Sequence, residues 1–157
     1  MNVRGMTLIE LVVVILILGA LVAAATMSGF DAEQTGFSVK GEAQKLASNI
    51  RYIQLQAMTQ EEPLRININS NSYTLTDLSG NAENRSVLRG NSVSFDNISL
   101  TTDLPNDCLT FDSAGEAHTS CSDTSTALSN DRTVTLTEGS HSNTVDIAAH
   151  AGTAWLS

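Results

Sequence analysis

Two cysteines, three histidines and a surplus of acids are the side chains of this 157-residue sequence that could carry chemistry. Cys108 and Cys121 are its only thiols, and they lack the Cys-x-x-Cys spacing of a metal or dithiol redox site. A structural bridge suits them better. If Ser113-Ala114-Gly115-Glu116 is a hairpin loop, Asp112 faces Ala117, Phe111 faces His118, and Cys108 faces Cys121. Directly opposed antiparallel residues hold their β-carbons close enough for a disulfide. Closing a loop of about 14 residues would stabilise by roughly 3 kcal/mol on the chain-entropy model, in an oxidising compartment.

His118, His141 and His150 show no ligand spacing of the HExxH kind, and read as lone exposed imidazoles. No GxSxG elbow and no Gly-rich phosphate loop is present either, so the sequence predicts no enzyme and no cofactor. The acids contain no DxDxDG run. A calcium site drawn from scattered loop acids such as Asp103, Asp107 and Asp123 is the metal chemistry left open, and no metal ligand is assigned. Asn84-Arg85-Ser86 and Asn97-Ile98-Ser99 fit the glycosylation pattern, which is short and frequent by chance.

One carboxylate stands apart from the rest. Glu10 interrupts an apolar run, and from Leu11 to Ala25 no side chain is charged. A helix from Met6 to Ala25 would be roughly 30 Å long, one bilayer crossing. A carboxylate near one end of it costs on the order of 2 to 3 kcal/mol or more in lipid, so it calls for a partner charge.

Three readings compete for this stretch. An ordinary signal peptide would use Arg4 as its basic end and Ala23-Ala24-Ala25 as its cleavage site, releasing a periplasmic or secreted binding or adhesive domain that starts at Thr26. A plain signal anchor would stay in the membrane. Neither explains Glu10. The run Arg4-Gly5-Met6-Thr7-Leu8-Ile9-Glu10-Leu11-Val12-Val13-Val14-Ile15 resembles the class III signal of type IV pilins and type II secretion pseudopilins. That resemblance implies a cut between Gly5 and Met6 by prepilin peptidase, N-methylation of Met6, and Glu10 as the acidic fifth residue of the mature chain. Met6 departs from the Phe most common there. The new amine at Met6 could neutralise a neighbouring subunit's Glu10 in a low-dielectric filament core, where leaving one partner unpaired costs about 3 to 5 kcal/mol and so penalises wrong stagger.

The elements that would carry these residues follow from periodicity. Gly29, Gly36 and Gly41 loosen the helical register, so continuity is least certain between Ser28 and Gly41. From Val39 the apolar residues Ala43, Leu46, Ala47, Ile50, Ile53 and Ala57 follow at spacings of three and four, an amphipathic helix that Glu61-Glu62-Pro63 ends. Beyond Pro63 the period falls to two. Leu64, Ile66 and Ile68 alternate with polar residues, and Ser70-Asn71-Ser72 turns the chain into Tyr73-Thr76. Short strands are predicted at 86–89, 93–95, 98–100, 109–112, 132–137 and 143–147.

The predicted architecture is α+β, a pilin fold: a long N-terminal helix packed on an antiparallel sheet. It divides into a leader (1–5), a membrane or filament-core helix (6–28), the amphipathic half of the helix (29–62), and a β-rich head with one disulfide hairpin (63–157). The formal charge is -9, and from Thr59 onward four basic residues stand against thirteen acids. Such a head repels phosphate backbones and argues against direct nucleic-acid binding. Positions 46–58, 109–115 and 146–154 further resemble minor pilins of the GspH/FimT kind, including those of mannose-sensitive haemagglutinin pili. This implies a minor pilin or pseudopilin that starts or decorates a filament. Its implied partners are other pilins, the prepilin peptidase, an inner-membrane platform and the membrane itself. It would sit in the bacterial inner membrane with its head in the periplasm, then in a pilus or pseudopilus.

Overall fold

The computed structural model describes residues 8–27, 30–81 and 92–157. The chain forms two compact units, 1–35 and 36–157. In the first, α1 runs Leu8–Met27 with Glu10 in its first turn. Its side chains are described as far as Val22, and within the described residues no helix is long and apolar enough to cross a membrane. Gly5 and Met6, the residues of the expected cut, and the join at Ser28 and Gly29 lie outside the described residues, as does the strand predicted at 86–89.

The helix α2 spans Phe30–Gln60 without a break at Gly36 or Gly41. Within the second unit, the predicted apolar row of α2 is buried throughout: Val39, Ala43, Leu46, Ile50, Ile53 and Ala57 are fully covered, and Ala47 nearly so. Spacings of three and four put these residues on one stripe, and their burial, at about 25 cal/mol per Å² of apolar surface, holds the helix to the head. The helix stops before Pro63, with Glu61 in the left-handed region at φ 56°.

The head has nine described strands, all paired antiparallel. They are β1 (Leu64–Asn69), β2 (Ser72–Asp77), β3 (Ser92–Ser94), β4 (Ser99–Thr102), β5 (Cys108–Phe111), β6 (Ala117–His118), β7 (Arg132–Glu138), β8 (His141–Ile147) and β9 (Ala154–Leu156). They are divided between two sheets, both antiparallel as expected. One sheet has the order β3-β2-β1-β5-β6 and a second the order β4-β7-β8-β9. The sheets are knitted where Leu100 of β4 donates its N–H to Ser70 in the β1–β2 turn, 2.7 Å.

The two sheets share one core with α2. It takes in Leu64, Ile66, Tyr73, Leu75, Leu109 and Phe111 from the first sheet, and Val134, Leu136, Val145 and Ile147 from the second. Alternation explains most of it, since β1 buries Leu64, Ile66 and Ile68 and turns Arg65 and Asn67 outward. β5 is buried at all four positions, because Leu109 and Phe111 face the core and the 120–121 segment lies over Cys108 and Thr110, tied there by the disulfide and by the bond from Thr110 Oγ1 to Ser120 O. One polar pair sits at the helix–sheet contact: Asn49 Nδ2 donates to Tyr73 Oη at 2.6 Å. Burial pushes the Tyr73 hydroxyl up to about 12, against the lowering effect of Asn49.

Candidate functional site

Two regions carry features beyond packing. The first is α1. Twelve large apolar side chains between Leu8 and Val22 are exposed, from 38% at Val12 to 83% at Leu8. Eight of them, Leu11 to Leu18, are consecutive, so at 100° per residue they clothe every face of the helix. A helix apolar on all sides is stable only when something covers all sides, whether lipid or other helices. Glu10 lies on the first turn of α1 as described.

The second region is the end of the head where α2, the β5–β6 loop and the β8–β9 loop meet. α2 reaches it with two polar side chains. Arg51 Nε donates to the Ala154 carbonyl at 2.6 Å, and Gln54 Nε2 donates to the carbonyls of Gly115 and Ala151 at 2.8 and 2.5 Å. The β5–β6 loop is built by Asp112. Its Oδ1 accepts the N–H groups of Ala114 (3.0 Å) and Glu116 (2.8 Å), while Gly115 supplies the left-handed turn at φ 82°.

This loop corrects the predicted register by one. Phe111 pairs with Ala117, and Thr110 with His118, so the loop holds five residues, 112–116. Cys108 and Cys121 are nonetheless bonded, their Cα atoms 5.9 Å apart. The strand β6 ends at His118, and the chain beyond it is free to swing Cys121 back to the start of β5. Arg65 of β1 fixes it there by hydrogen-bonding the Cys121 carbonyl, and Thr110 Oγ1 donates to Ser120 O at 2.7 Å.

His118 also departs from expectation, since its ring is buried rather than exposed. Its Nε2 lies 3.2 Å from Asp112 Oδ2, and its Nδ1 is buried with no hydrogen-bond partner. Partial burial alone would raise the Asp112 carboxyl, but the Glu116 N–H, the His118 ring and the Ala114 N–H outweigh it and hold Asp112 below the usual carboxylate value. His150, in the β8–β9 loop, stands beside them with Nδ1 3.6 Å from Glu116 Oε1. Its backbone is pinned on both sides, accepting Ala117 N–H at 3.0 Å and donating to Leu128 O at 2.8 Å.

Asp103, Asp107 and Asp123 are not brought together. Asp103 Oδ1 accepts the Thr133 N–H at 2.6 Å, and Asp123 Oδ1 is engaged by Ser125. Among the described residues, the one group of three His, Cys, Asp or Glu side chains close enough to share an ion is Asp112, Glu116 and His118, with ligand atoms within 4.8 Å of one another. Spacing alone hides this group. Its available signal was an Asp before Ser-Ala-Gly, the mark of an Asx turn that folds the chain back over the Asp.

Residues 1–26 match the family model of the prokaryotic N-terminal methylation motif, and residues 42–152 match that of the type II transport protein GspH. No curated protein sequence matches the chain. Among solved structures, the chain is similar to the minor pseudopilin EpsH from the type 2 secretion system of Vibrio cholerae. One EpsH structure gives a TM-score of 0.58 at 16% identity, covering 76% of this chain and 95% of that one. A second gives 0.59 at 14%, covering 78% and 94%. It is also similar to the type IV minor pilin FimU of Pseudomonas aeruginosa, with a TM-score of 0.52 at 15% identity, covering 76% and 88%. At these identities the likeness is one of fold, a helix packed on antiparallel sheets.

Proposed function

The chain belongs to the type II transport protein GspH family, and on that premise we propose that it is a minor pseudopilin or minor pilin, a structural subunit that assembles through its N-terminal helix. One observation carries this reading. The methylation motif over residues 1–26 leads into a helix whose apolar side chains are exposed on every face. A soluble domain has no use for such a helix, whereas a subunit that passes from membrane to filament covers it in both places, first with lipid and then with its neighbours' helices.

In this reading the prepilin peptidase cuts between Gly5 and Met6 and methylates Met6, and the inner-membrane platform delivers the subunit to a type II secretion pseudopilus or a type IV pilus. Glu10 sets the stagger. Parallel packing brings the cationic Met6 amine of one subunit to the Glu10 carboxylate of another, and a misplaced register would strand a charge at about 3 to 5 kcal/mol. The acidic head stays outside the helical core, so filament and head make different contacts.

The test is the mature N-terminus, read by mass spectrometry of the protein recovered from its native membrane. N-methylated Met6 is expected. A mature end at Thr26 would overturn the proposal and leave a domain released by ordinary signal peptidase.

A further inference from the structure

We propose that Asp112, Glu116, His118 and His150 form a binding site for a zinc-class divalent cation, which ties the β5–β6 loop of one sheet to the β8–β9 loop of the other. Three observations converge on it. The donor set is two imidazoles and two carboxylates, the mixture that suits zinc and its neighbours; calcium prefers oxygen ligands throughout.

The distances fit a shared ion better than they fit direct pairing. Charge-assisted hydrogen bonds between nitrogen and carboxylate run about 2.7 to 2.9 Å. Here the two nitrogen–carboxylate contacts are longer, 3.2 Å for His118 Nε2 to Asp112 Oδ2 and 3.6 Å for His150 Nδ1 to Glu116 Oε1. A tetrahedral zinc with bonds of about 2.0 to 2.1 Å holds its ligand atoms about 3.3 to 3.4 Å apart along each edge. The two observed pairs, two of the six edges of such a tetrahedron, bracket that length, and His150 reaches the group through its contact with Glu116. Asp112, Glu116 and His118 each offer an atom within 4.8 Å of the others.

The third observation is the state of His118. Its side chain is 7% exposed, its Nδ1 has no partner, and its Nε2 faces the cluster through one long contact. A ring taken out of water with so little compensation is under-satisfied. A cation on Nε2 replaces that long contact with a direct bond, while Nδ1 stays as it is. The cluster is also held ready: Asp112 Oδ1 is committed to two backbone N–H groups, which leaves Oδ2 for the ion. His150 is set beside residue 117 by the bond from Ala117 N–H to its own carbonyl.

The experiment uses the full chain, untagged, in detergent micelles and stripped by chelator. Titration calorimetry with zinc chloride should show one ion per chain, and cobalt(II) should give the intense visible bands of a tetrahedral complex. Calcium should give neither heat nor stabilisation. Glu116→Gln and His150→Gln alter side chains that are 44% and 65% exposed, so metal-free melting should be unchanged while zinc affinity falls tenfold or more in each. Absence of zinc binding by the parent chain overturns the proposal. So does equal affinity in the parent and both variants, which would mark the binding as adventitious. Neither result bears on the filament reading, which rests on α1.

Discussion

Gly152→Ala isolates the packing of the β8–β9 loop against the core. Gly152 has φ 60°, and a β-carbon added there would lie 2.8 Å from the Ala117 β-carbon and closer still to the Phe111 ring. Both neighbours are fully buried, so neither can yield without moving β5 or β6. The left-handed backbone costs an alanine about 1 to 2 kcal/mol, and forced overpacking adds about 1 to 3 kcal/mol. Together that is roughly 2 to 5 kcal/mol from a domain whose whole stability is about 5 to 15 kcal/mol. Gly139 provides the control, because it has the same φ of 60° with nothing within 4 Å of its added β-carbon. Gly139→Ala should therefore lose only the backbone share. Urea unfolding of both variants in metal-free micelles measures the difference, and the midpoint of thermal unfolding should fall by on the order of 10 °C for Gly152→Ala. If the two variants fall within about 1 kcal/mol of each other, the close approach of Gly152 to Phe111 is wrong.

Replacing Cys108 and Cys121 together by Ala should cost about 3 kcal/mol by denaturant unfolding, and a loss under about 1 kcal/mol would show that the Arg65 and Thr110 bonds hold the segment without the bridge. The Tyr73 hydroxyl titrates higher in the folded chain, about 12 against 10.0, so folding favours its protonated form. Its contribution is intact below pH 10 and lost as pH rises through 12, a fall on the order of 2 kcal/mol. Tyr73→Phe should flatten that alkaline decline, and an unchanged slope would assign it to other groups. Glu10→Ala should leave membrane insertion and cleavage intact while co-purification with sheared filaments drops; normal co-purification would refute the stagger role.

The parts of the fold governed by short-range periodicity were legible in the sequence. The buried stripe from Val39 to Ala57 follows from helical spacing alone, and the β1–β2 hairpin from strict alternation on either side of Ser70-Asn71. What escaped depends on which backbone groups a side chain chooses. Asp112 widened the loop to five residues by bonding two N–H groups, and no count of Ser, Gly and Ala reveals that choice. The short β9 escaped because three residues hold too little alternation to register. Asn49 looked like any polar helix residue, and only the position of Tyr73 made its burial tolerable. The cluster of Asp112, Glu116, His118 and His150 escaped because its fourth member arrives from a loop more than thirty residues away.

Both sheets taper toward their margins. In the first, the six-residue β1 and β2 lie inside, and the margins are β3 with three residues and β6 with two. In the second, the seven-residue β7 and β8 lie inside, and the margins are β4 with four and β9 with three. A long open margin is a template on which a foreign strand can be added, and crowding multiplies the chance. Many heads held at close quarters on one polymer would meet that hazard continuously. Among the described residues no margin is long enough to seed a cross-β ribbon.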